Sequence, residues 1–340
     1  VALALDADHF GMPVPMPFLA AFAAVYASHV IHSIRREAFK ARQFGQYRLK
    51  EKRGSGGMGE VYKAELGLLK RPCAIKLIKP ESETDATALA RFEREVRATA
   101  ELTHWNTVEI YDFGHTDDGT FYYVMELLPG LSLADLVEQH GALPPERAVH
   151  FLLQTCRALR EAHASGLVHR DIKPANIFAA ARGGVCDVAK LLDFGLVKWS
   201  QGGEAQEAGV TQAGSIAGSP LYMAPEQASE FRKADARTDI YALGAVAYCL
   251  LTGDPPFSGE SPVEIIIAHS RDEVVPPSRV RDGVPEDLEN VVLRCLAKKP
   301  EDRFADVGSL ERALADCECA GKWDEQRAAA WWNDIEAARH

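Results

Sequence analysis

The sequence predicts an α+β fold in which a small β-rich region precedes a larger, mainly helical region. Residues 44–128 consist of short apolar stretches separated by glycine-rich turns, a pattern typical of strands. From residue 129 onward, apolar residues recur at helical spacing behind proline or serine helix starts. The Pro129-Gly130 pair separates the two patterns and marks the boundary between the regions.

The elements of the first region follow from these patterns. Leu89, Phe92 and Val96 lie at helical spacing between charged residues, which predicts an amphipathic helix over residues 85–102. The predicted strands cover Tyr47–Leu49, Glu60–Ala64, Cys73–Ile78 and Phe121–Leu127.

The second region, residues 129–316, contains six predicted helices. The first of them starts behind Ser132, whose hydroxyl can cap a helix. The predicted helices cover Ser132–His140, Pro145–Ser165, Asp239–Leu251, Pro262–His269, Pro285–Ala297 and Phe304–Cys317. Residues 200–214 contain little that can be buried, so we expect a mobile surface loop there. The tail, residues 317–340, is rich in tryptophan, and we expect it to dock as a short helix on this domain or on a partner.

The composition of the 340 residues is typical of a globular protein, with 47% apolar and 26% charged residues. The formal net charge of −11 argues against a nucleic-acid partner, because such proteins need a basic surface to displace counterions. None of the seven cysteines has zinc-ligand spacing, and we interpret them as free, buried thiols in a reducing cytosol. A redox or metal role for Cys317 and Cys319 is the alternative.

The N-terminal segment, residues 1–43, has the composition of the end of a membrane helix. No Asp, Glu, Lys or Arg occurs from Phe10 to Ile34, and arginines follow directly. Since cytoplasmic flanks favour basic residues, residues 12–34 are expected to tether a cytoplasmic domain to the inner membrane. Prolines and histidines interrupt the apolar run, so a soluble packed helix is the alternative. Because the first residue is Val1, we expect the chain to be a fragment of a longer protein.

A glycine cluster lies between the first two predicted strands. Gly54, Gly56 and Gly59 form the pattern GxGxxG, followed by Val61 on a strand. Glycines allow the backbone to approach a phosphate group and to direct N–H groups towards it. A dinucleotide-binding unit would continue into a helix, so the strand disfavours that reading, whereas a simple flexible turn remains an alternative.

Lys76 lies on a predicted strand among apolar residues, where a lysine is costly unless it is paired. Glu95, on the following helix, is its predicted partner. Together, behind a glycine loop, the two residues indicate an ammonium group held by a carboxylate so that it can meet phosphate oxygens.

The segment from His169 to Asn176 carries the strongest chemical signal. Asp171 can accept a proton from a hydroxyl, and Lys173 can neutralise a transferring phosphoryl group. Asn176 can hold a divalent ion, and Asp193, followed by Phe194 and a glycine, offers a second ligand. Mg²⁺ favours such a set, one or two carboxylates plus phosphate oxygens.

In this order, and with Ala224-Pro225-Glu226 behind them, these motifs resemble the bacterial eukaryotic-like (Hanks-type) Ser/Thr protein kinases over about residues 45–315. The resemblance implies a two-lobed protein kinase fold, with an N-lobe at residues 44–128 and a C-lobe at residues 129–316. It implies ATP and Mg²⁺, or Mn²⁺, as cofactors and proteins with Ser or Thr as substrates.

The resemblance also implies roles for individual residues. Asp171 would be the catalytic base, supported by Lys173, Lys76 and Glu95, with Asn176 and Asp193 as metal ligands. Residues implied to contact ATP are Gly54, Gly56, Gly59, Val61, Ala74, Lys76, the gatekeeper Met125, and Glu126 and Leu128 of the hinge. Residues implied to be structural are Asp239, which supports the catalytic loop, and the ion pair of Glu226 and Arg303.

Two details concern specificity and regulation. Lys173 after Asp171, and Ser219 where the family usually has threonine, favour Ser/Thr over tyrosine substrates. Thr211 is the first candidate phosphosite and Ser215 the second; a phosphate there could bind Arg170. A homodimer for autophosphorylation in trans is also compatible with the resemblance.

The sequence departs from the family at two places. Ala213 replaces a second threonine that often follows the first phosphosite by two residues, which puts double phosphorylation in doubt. Trp105 stands where the family usually has proline, and there we expect only altered packing.

Three further hypotheses stand beside that of an active protein kinase. A pseudokinase would bind ATP or act as a scaffold without transfer, but such proteins commonly lack a catalytic lysine, aspartate or metal ligand, and all are present here. A membrane sensor with kinase output would explain residues 1–43. A small-molecule kinase is disfavoured by the Ala224-Pro225-Glu226 and Gly218-Ser219-Pro220 segments, which favour a protein substrate.

Overall fold

The computed structural model describes residues 43–44, 46–56, 59–67, 69–78, 86–116, 120–194, 220–229 and 235–338. Several predictions fall outside these residues. They concern the membrane tether at 12–34, the loop at 200–214, the phosphosites Thr211 and Ser215, and Ser219. Among the helices that the structure describes, none combines the length and apolar character needed to cross a membrane.

A six-stranded antiparallel sheet forms the first region. Its strands are β1 (Gln43–Phe44), β2 (Tyr47–Gly56), β3 (Gly59–Leu66), β4 (Arg71–Ile78), β5 (Ile110–His115) and β6 (Phe121–Glu126). Their order across the sheet is β1-β2-β3-β4-β6-β5. β5 was not predicted; its residues 110–114 are half-buried and His115 is exposed, so buried and exposed positions do not alternate along it.

Helix α1 (Ala86–Ala100) covers one face of this sheet, as the helical spacing predicted. Its Val96 is completely buried in an apolar cluster with Ala74, Val108, Tyr123 and Met125. A second apolar cluster contains Tyr47, Leu49, Tyr62, Cys73, Ile75 and Val124. The sheet therefore buries side chains on both faces, and the cluster under α1 borders the candidate site.

The second region is mainly helical, as predicted. Its helices are α2 (Leu133–His140), α3 (Pro145–Ala164), α4 (Pro225–Ser229), α5 (Ala236–Thr252), α6 (Pro262–Arg271), α7 (Pro277–Val280), α8 (Glu286–Cys295), α9 (Val307–Ala315) and α10 (Glu325–Ala338). Ser132 caps α2 as expected, and Asp135 completes a capping box. α5 begins before the predicted Asp239, because Asp235 caps it by accepting a hydrogen bond from the Arg237 N–H.

A second, three-stranded antiparallel sheet lies in this region and was not predicted. It consists of β7 (Gly130–Ser132), β8 (Ile177–Arg182) and β9 (Val185–Leu191). Strand β8 follows directly behind a 3-10 turn at Pro174–Asn176, and β9 ends two residues before Asp193. This hairpin therefore carries both predicted metal-ligand segments.

The tryptophan-rich tail docks on this domain, which is the first of the two predicted possibilities. The Trp323 Nε1–H donates to Oδ2 of Asp187 over 2.9 Å, and the Trp332 Nε1–H donates to Oδ1 over 2.8 Å. The same carboxylate forms a bidentate ion pair with Arg147, and both charged side chains are completely buried. The Trp331 ring stacks on the Arg147 guanidinium at 3.6 Å. We call these five residues the tail anchor.

The cysteines behave as expected for free thiols. All seven lie in the described part of the chain, none forms a disulfide, and six are buried. Burial raises the pKa of Cys317 to about 12, so its thiol stays protonated, and burial also raises the pKa of Cys319. Protonated thiols are poor nucleophiles and metal ligands, which disfavours the redox or metal alternative for this pair. Within the described residues, no three His, Cys, Asp or Glu side chains cluster as a metal site.

Candidate active site

Asp239, at the start of α5, holds the loop that carries Asp171. Its buried carboxylate accepts hydrogen bonds from the backbone N–H groups of His169 and Arg170, each over 2.8 Å. Nε2 of His163 lies 2.8 Å from the same carboxylate. Arg170 adopts a left-handed backbone conformation with φ of +64°, which these bonds support.

His169 connects this loop to the segment that carries Asp193. Its Nε2–H donates to the carbonyl oxygen of Leu192 over 2.7 Å. The His169 ring also packs against the ring of Phe194, with centroids 4.7 Å apart. The imidazole is completely buried, so the two segments are fixed relative to each other.

Asp171, Lys173 and Asn176 form one hydrogen-bonded group. The Lys173 ammonium lies 2.8 Å from Oδ2 of Asp171. Nδ2 of Asn176 donates to the Asp171 carbonyl over 2.8 Å and to Oδ2 over 3.0 Å. Because Nδ2 is used in this way, Oδ1 is the atom of Asn176 that can serve a cation.

The backbone brings Asn176 next to Asp193. Strands β8 and β9 pair Ile177 with Leu191, and the Leu192 N–H donates to the Asn176 carbonyl over 2.9 Å. A carboxylate and an amide oxygen in adjacent positions fit a magnesium ion that takes its remaining ligands from phosphate and water. The donor set therefore suits the predicted metal.

Lys76 reaches Asp193 across the cleft between the two regions. Its ammonium lies 2.6 Å from Oδ2 of Asp193, and the hydroxyl of Tyr123 donates to Oδ1. Burial alone would raise the pKa of Asp193, but the charge and hydrogen bond of Lys76 outweigh it and hold the pKa below its ordinary value. Asp193 is thus a carboxylate held in its ionised form.

Glu95 lies on α1 and is half-buried. Its backbone carbonyl accepts a hydrogen bond from the Thr99 hydroxyl over 2.9 Å. The ion pair between Glu95 and Lys76 stays a prediction, since the ion pair described here joins Lys76 to Asp193.

The glycine segment lies beside Lys76. Gly54 pairs with Val61, and Val61 pairs with Lys76 on the next strand. Gly59 has φ of +124°, and a Cβ there would lie 1.9 Å from the carbonyl oxygen of Leu77, so only glycine fits.

An apolar wall adjoins the glycine segment. Ala74 and Met125 are register partners and are buried together, while Val61 and Leu192 pack against their cluster. Four of the residues implied to contact ATP, namely Val61, Ala74, Lys76 and Met125, therefore lie on neighbouring strands. Such an apolar surface with a few polar groups at its edge is typical of ligand sites.

The Glu126 side chain is buried in a group of charges that we call the hinge cluster, formed by Glu126, Arg182 and Lys190. Oε1 of Glu126 lies 2.7 Å from the Lys190 ammonium, and Oε2 pairs with the Arg182 guanidinium. Lys190 also donates to the Thr107 carbonyl over 3.1 Å. Neither Arg182 nor Lys190 was predicted as a partner of Glu126, although a lysine within the apolar strand β9 signals a buried partner.

Trp105 covers the hinge cluster. Its ring centre lies 4.8 Å from the Arg182 guanidinium carbon and 5.4 Å from the Lys190 ammonium. The expected effect of this departure was altered packing alone, whereas the ring also stacks on two cations of the hinge cluster.

Glu226 and Arg303 form a bidentate ion pair, with nitrogen–oxygen distances of 2.7 and 2.8 Å. The neighbouring Gln227 donates from Nε2 to the Arg170 carbonyl over 2.9 Å. Gln227 was not singled out from the sequence. It links helix α4 to the loop of Asp171, so this helix and the loop are positioned together.

Comparison with known proteins gives one consistent family. Residues 47–315 match the model of the protein kinase domain. The chain is 38% identical over 272 residues to the serine/threonine-protein kinase PknB of Mycobacterium leprae, covering 79% of this chain and 42% of that protein. It is 40% identical over 277 residues to PknE of Mycobacterium tuberculosis, covering 82% and 47%. The chain thus spans less than half the length of these curated relatives.

Solved structures agree with this result. The crystal structure of the Mycobacterium tuberculosis PknI kinase domain superimposes with a TM-score of 0.62 at 26% sequence identity. The superposition covers 82% of this chain and 98% of that domain. The fold is therefore that of a protein kinase domain, with a β-sheet N-lobe and a helical C-lobe.

Proposed function

The chain belongs to the protein kinase domain family, and from this premise we propose that it transfers the γ-phosphoryl group of ATP to serine or threonine hydroxyls of proteins. The observation that carries the proposal is the meeting of three separate chain segments at one cleft, namely strand β4, the loop from His169 to Asn176 and the residues around Asp193. Lys76 contacts Asp193, the residue before Asp193 bonds to Asn176, and Asn176 bonds to Asp171.

Asp171 is the proposed catalytic base. Its carboxylate would orient the incoming hydroxyl and accept its proton. Lys173, 2.8 Å from Oδ2 of Asp171, would neutralise negative charge on the phosphoryl group as it moves. Asn176 donates to the same carboxylate and so fixes the direction of its oxygens.

Lys76, the glycine segment and the hinge are the proposed nucleotide site. Lys76 would contact the α- and β-phosphates, supported by Glu95, and Gly54, Gly56 and Gly59 would cover the phosphates. Adenine would lie against Val61, Ala74 and Met125. Since the Glu126 N–H already donates to the Glu109 carbonyl over 3.0 Å, adenine recognition would use the Glu126 carbonyl and the Leu128 backbone.

Asn176 and Asp193 are the proposed ligands of Mg²⁺, or of Mn²⁺ in its place. When bound, such an ion neutralises charge on the β- and γ-phosphates. Lys76 keeps Asp193 ionised, which is the form that a divalent cation needs.

Regulation and location extend the proposal to residues outside the described part. Phosphate on Thr211, or on Ser215, would order the loop by pairing with Arg170. Residues 12–34 would tether the cytoplasmic kinase to the inner membrane, and a transient homodimer would allow phosphorylation in trans.

The test is transfer of labelled phosphate by the purified 340-residue chain with ATP, Mg²⁺ and a basic protein substrate. We expect label on serine and threonine only, and a rate that falls by about 10²- to 10⁴-fold in Asp171→Asn. Mass spectrometry of the same reaction would identify the sites on the chain itself, with Thr211 and Ser215 expected.

A matched control is Asp282→Asn, which removes an exposed carboxylate from the C-lobe and should leave the rate unchanged. A folded wild-type chain that binds ATP but transfers no label, even after phosphorylation of its loop, would instead support a pseudokinase scaffold. Label on tyrosine would contradict the proposed substrate class.

A further inference from the structure

Tyr123 lies in the candidate active site although no motif of the sequence includes it. It is the register partner of Lys76 on the neighbouring antiparallel strand. Such partners project from the same face of a sheet, so both side chains point towards Asp193. Tyr123 is only 1% exposed, and its ring belongs to the apolar cluster that α1 covers.

The two side chains hold opposite oxygens of one carboxylate. The Lys76 ammonium contacts Oδ2 of Asp193, and the Tyr123 hydroxyl donates to Oδ1. A buried hydroxyl is costly without an acceptor, and the Tyr123 ring packs in an apolar cluster with Ala74, Val96 and Met125. Asp193 is therefore the acceptor that accounts for a tyrosine, rather than a phenylalanine, at this buried position.

Under the proposed function, on which this inference rests, Lys76 also serves the nucleotide phosphates and Glu95, besides Asp193. When Lys76 turns to the phosphates of a bound nucleotide, its hold on Asp193 weakens. The Tyr123 hydroxyl faces the carboxylate from the other side and keeps its bond. Asp193 has φ of +58°, a conformation that a residue other than glycine adopts only where its surroundings hold it.

We propose that Tyr123 is a positioning residue, which keeps Asp193 oriented for the metal ion while Lys76 engages the nucleotide. A carboxylate oxygen has two lone pairs, so Oδ1 can accept the hydroxyl bond and still face a cation. Tyr123 thus acts through Asp193 and does not itself contact substrate.

The test is Tyr123→Phe, which removes one oxygen atom and keeps the ring. The affinity for a non-hydrolysable ATP analogue is measured by calorimetry with and without Mg²⁺. We expect the gain in affinity that Mg²⁺ gives the wild type to shrink about tenfold in the variant, the scale of one hydrogen bond to a charged group. The affinity of the variant without Mg²⁺ should stay within about twofold of the wild-type value.

In transfer assays of the same variant, the Mg²⁺ concentration that gives half the maximal rate should rise, with a smaller change in kcat.

The matched control is Tyr122→Phe, which removes a hydroxyl from the adjacent residue, on the opposite face of the same strand. This control variant should keep the gain in ATP-analogue affinity that Mg²⁺ gives the wild type. An equal gain in Tyr123→Phe and wild type would overturn the inference, whereas a wild type without any Mg²⁺-dependent gain would count against the proposed function itself. If Tyr123→Phe fails to fold, Tyr123→Met fills the same apolar space and is measured in the same way.

Discussion

His269, on α6, is a histidine that the fold keeps neutral. Its Nδ1 lies 2.7 Å from the Tyr241 hydroxyl, and the Phe257 ring packs against the imidazole edge-to-face with centroids 4.9 Å apart. The Lys298 ammonium donates to the His269 carbonyl over 2.9 Å. Burial lowers the pKa of His269 to about 4, and the nearby Lys298 charge acts in the same direction.

This pKa makes stability depend on pH in a defined direction. Between the ordinary histidine pKa of about 6.5 and the folded value, the unfolded chain binds a proton that the folded chain does not. The free energy of unfolding should therefore fall by about 2 kcal/mol through His269 alone as pH drops from 7 to 5. Urea unfolding at both pH values checks this.

The comparison variant is His269→Asn, in which the other ten histidines remain. Its unfolding free energy should fall less between pH 7 and 5 than that of the wild type. Equal falls in the two proteins would mean that His269 keeps its proton in the folded chain at pH 5.

Among the helices and strands, local sequence patterns predicted the elements whose ends and buried faces depend on neighbouring residues. Ser132 caps its helix as expected, and Val96 faces the core as its spacing predicted. The strands β1, β5 and β7–β9 were missed, because a strand of two or three residues, or one in which buried and exposed residues do not alternate, carries no clear period. Segments with strong composition signals could thus be predicted, and short connecting strands could not.

The same limit applies to the candidate site. Lys76, Asp171 and Asp193 stand out because each has a characteristic local motif. Tyr123 and Lys190 have their partners 70 and 64 residues away in the sequence. Their role comes from strand pairing and packing, which no local pattern records.

The tail helix α10 is an element whose docking depends on buried charge. Arg147 and Asp187 are both completely buried, which costs desolvation free energy unless further partners surround them. The indole N–H groups of Trp323 and Trp332 each donate to one oxygen of Asp187. Since the family match ends at residue 315, the folded unit extends beyond the part that the family shares.

Substituting the tail tryptophans tests this account. Trp323→Phe and Trp332→Phe each remove one hydrogen bond to a buried charge and should lower the free energy of unfolding by about 1.5–3 kcal/mol. Trp105→Phe, which changes a half-exposed ring and removes no bond to Asp187, should cost less than about 1 kcal/mol. Chemical denaturation measures the free energy of unfolding of the three variants and of the wild type. If the tail variants cost no more than Trp105→Phe, the tail is not part of the folded unit.

At the scale of the whole molecule, the hinge cluster joins the two lobes. Glu126 ends the last strand of the N-lobe sheet, whereas Arg182 and Lys190 belong to the second sheet, in the C-lobe. The contacts are direct and the Glu126 and Lys190 side chains are almost completely buried. Lobe orientation therefore depends on ionic bonds at the same residue whose backbone is proposed to bind adenine.

Lys190→Met should disturb both stability and nucleotide binding. Methionine keeps most of the volume but leaves Glu126 buried with one cation fewer and the Thr107 carbonyl without its donor, so the free energy of unfolding should fall by about 3–5 kcal/mol. Lys50→Met breaks an ion pair of similar length, 2.8 Å, at a more exposed site and should cost at most about 1 kcal/mol. ATP-analogue affinity should fall in Lys190→Met and not in Lys50→Met, because only the first changes the support of the hinge. Adding Glu126→Gln to Lys190→Met should recover part of the lost stability, since it removes the buried charge that lost one of its two cations. No recovery would mean that Glu126 and Lys190 are not coupled.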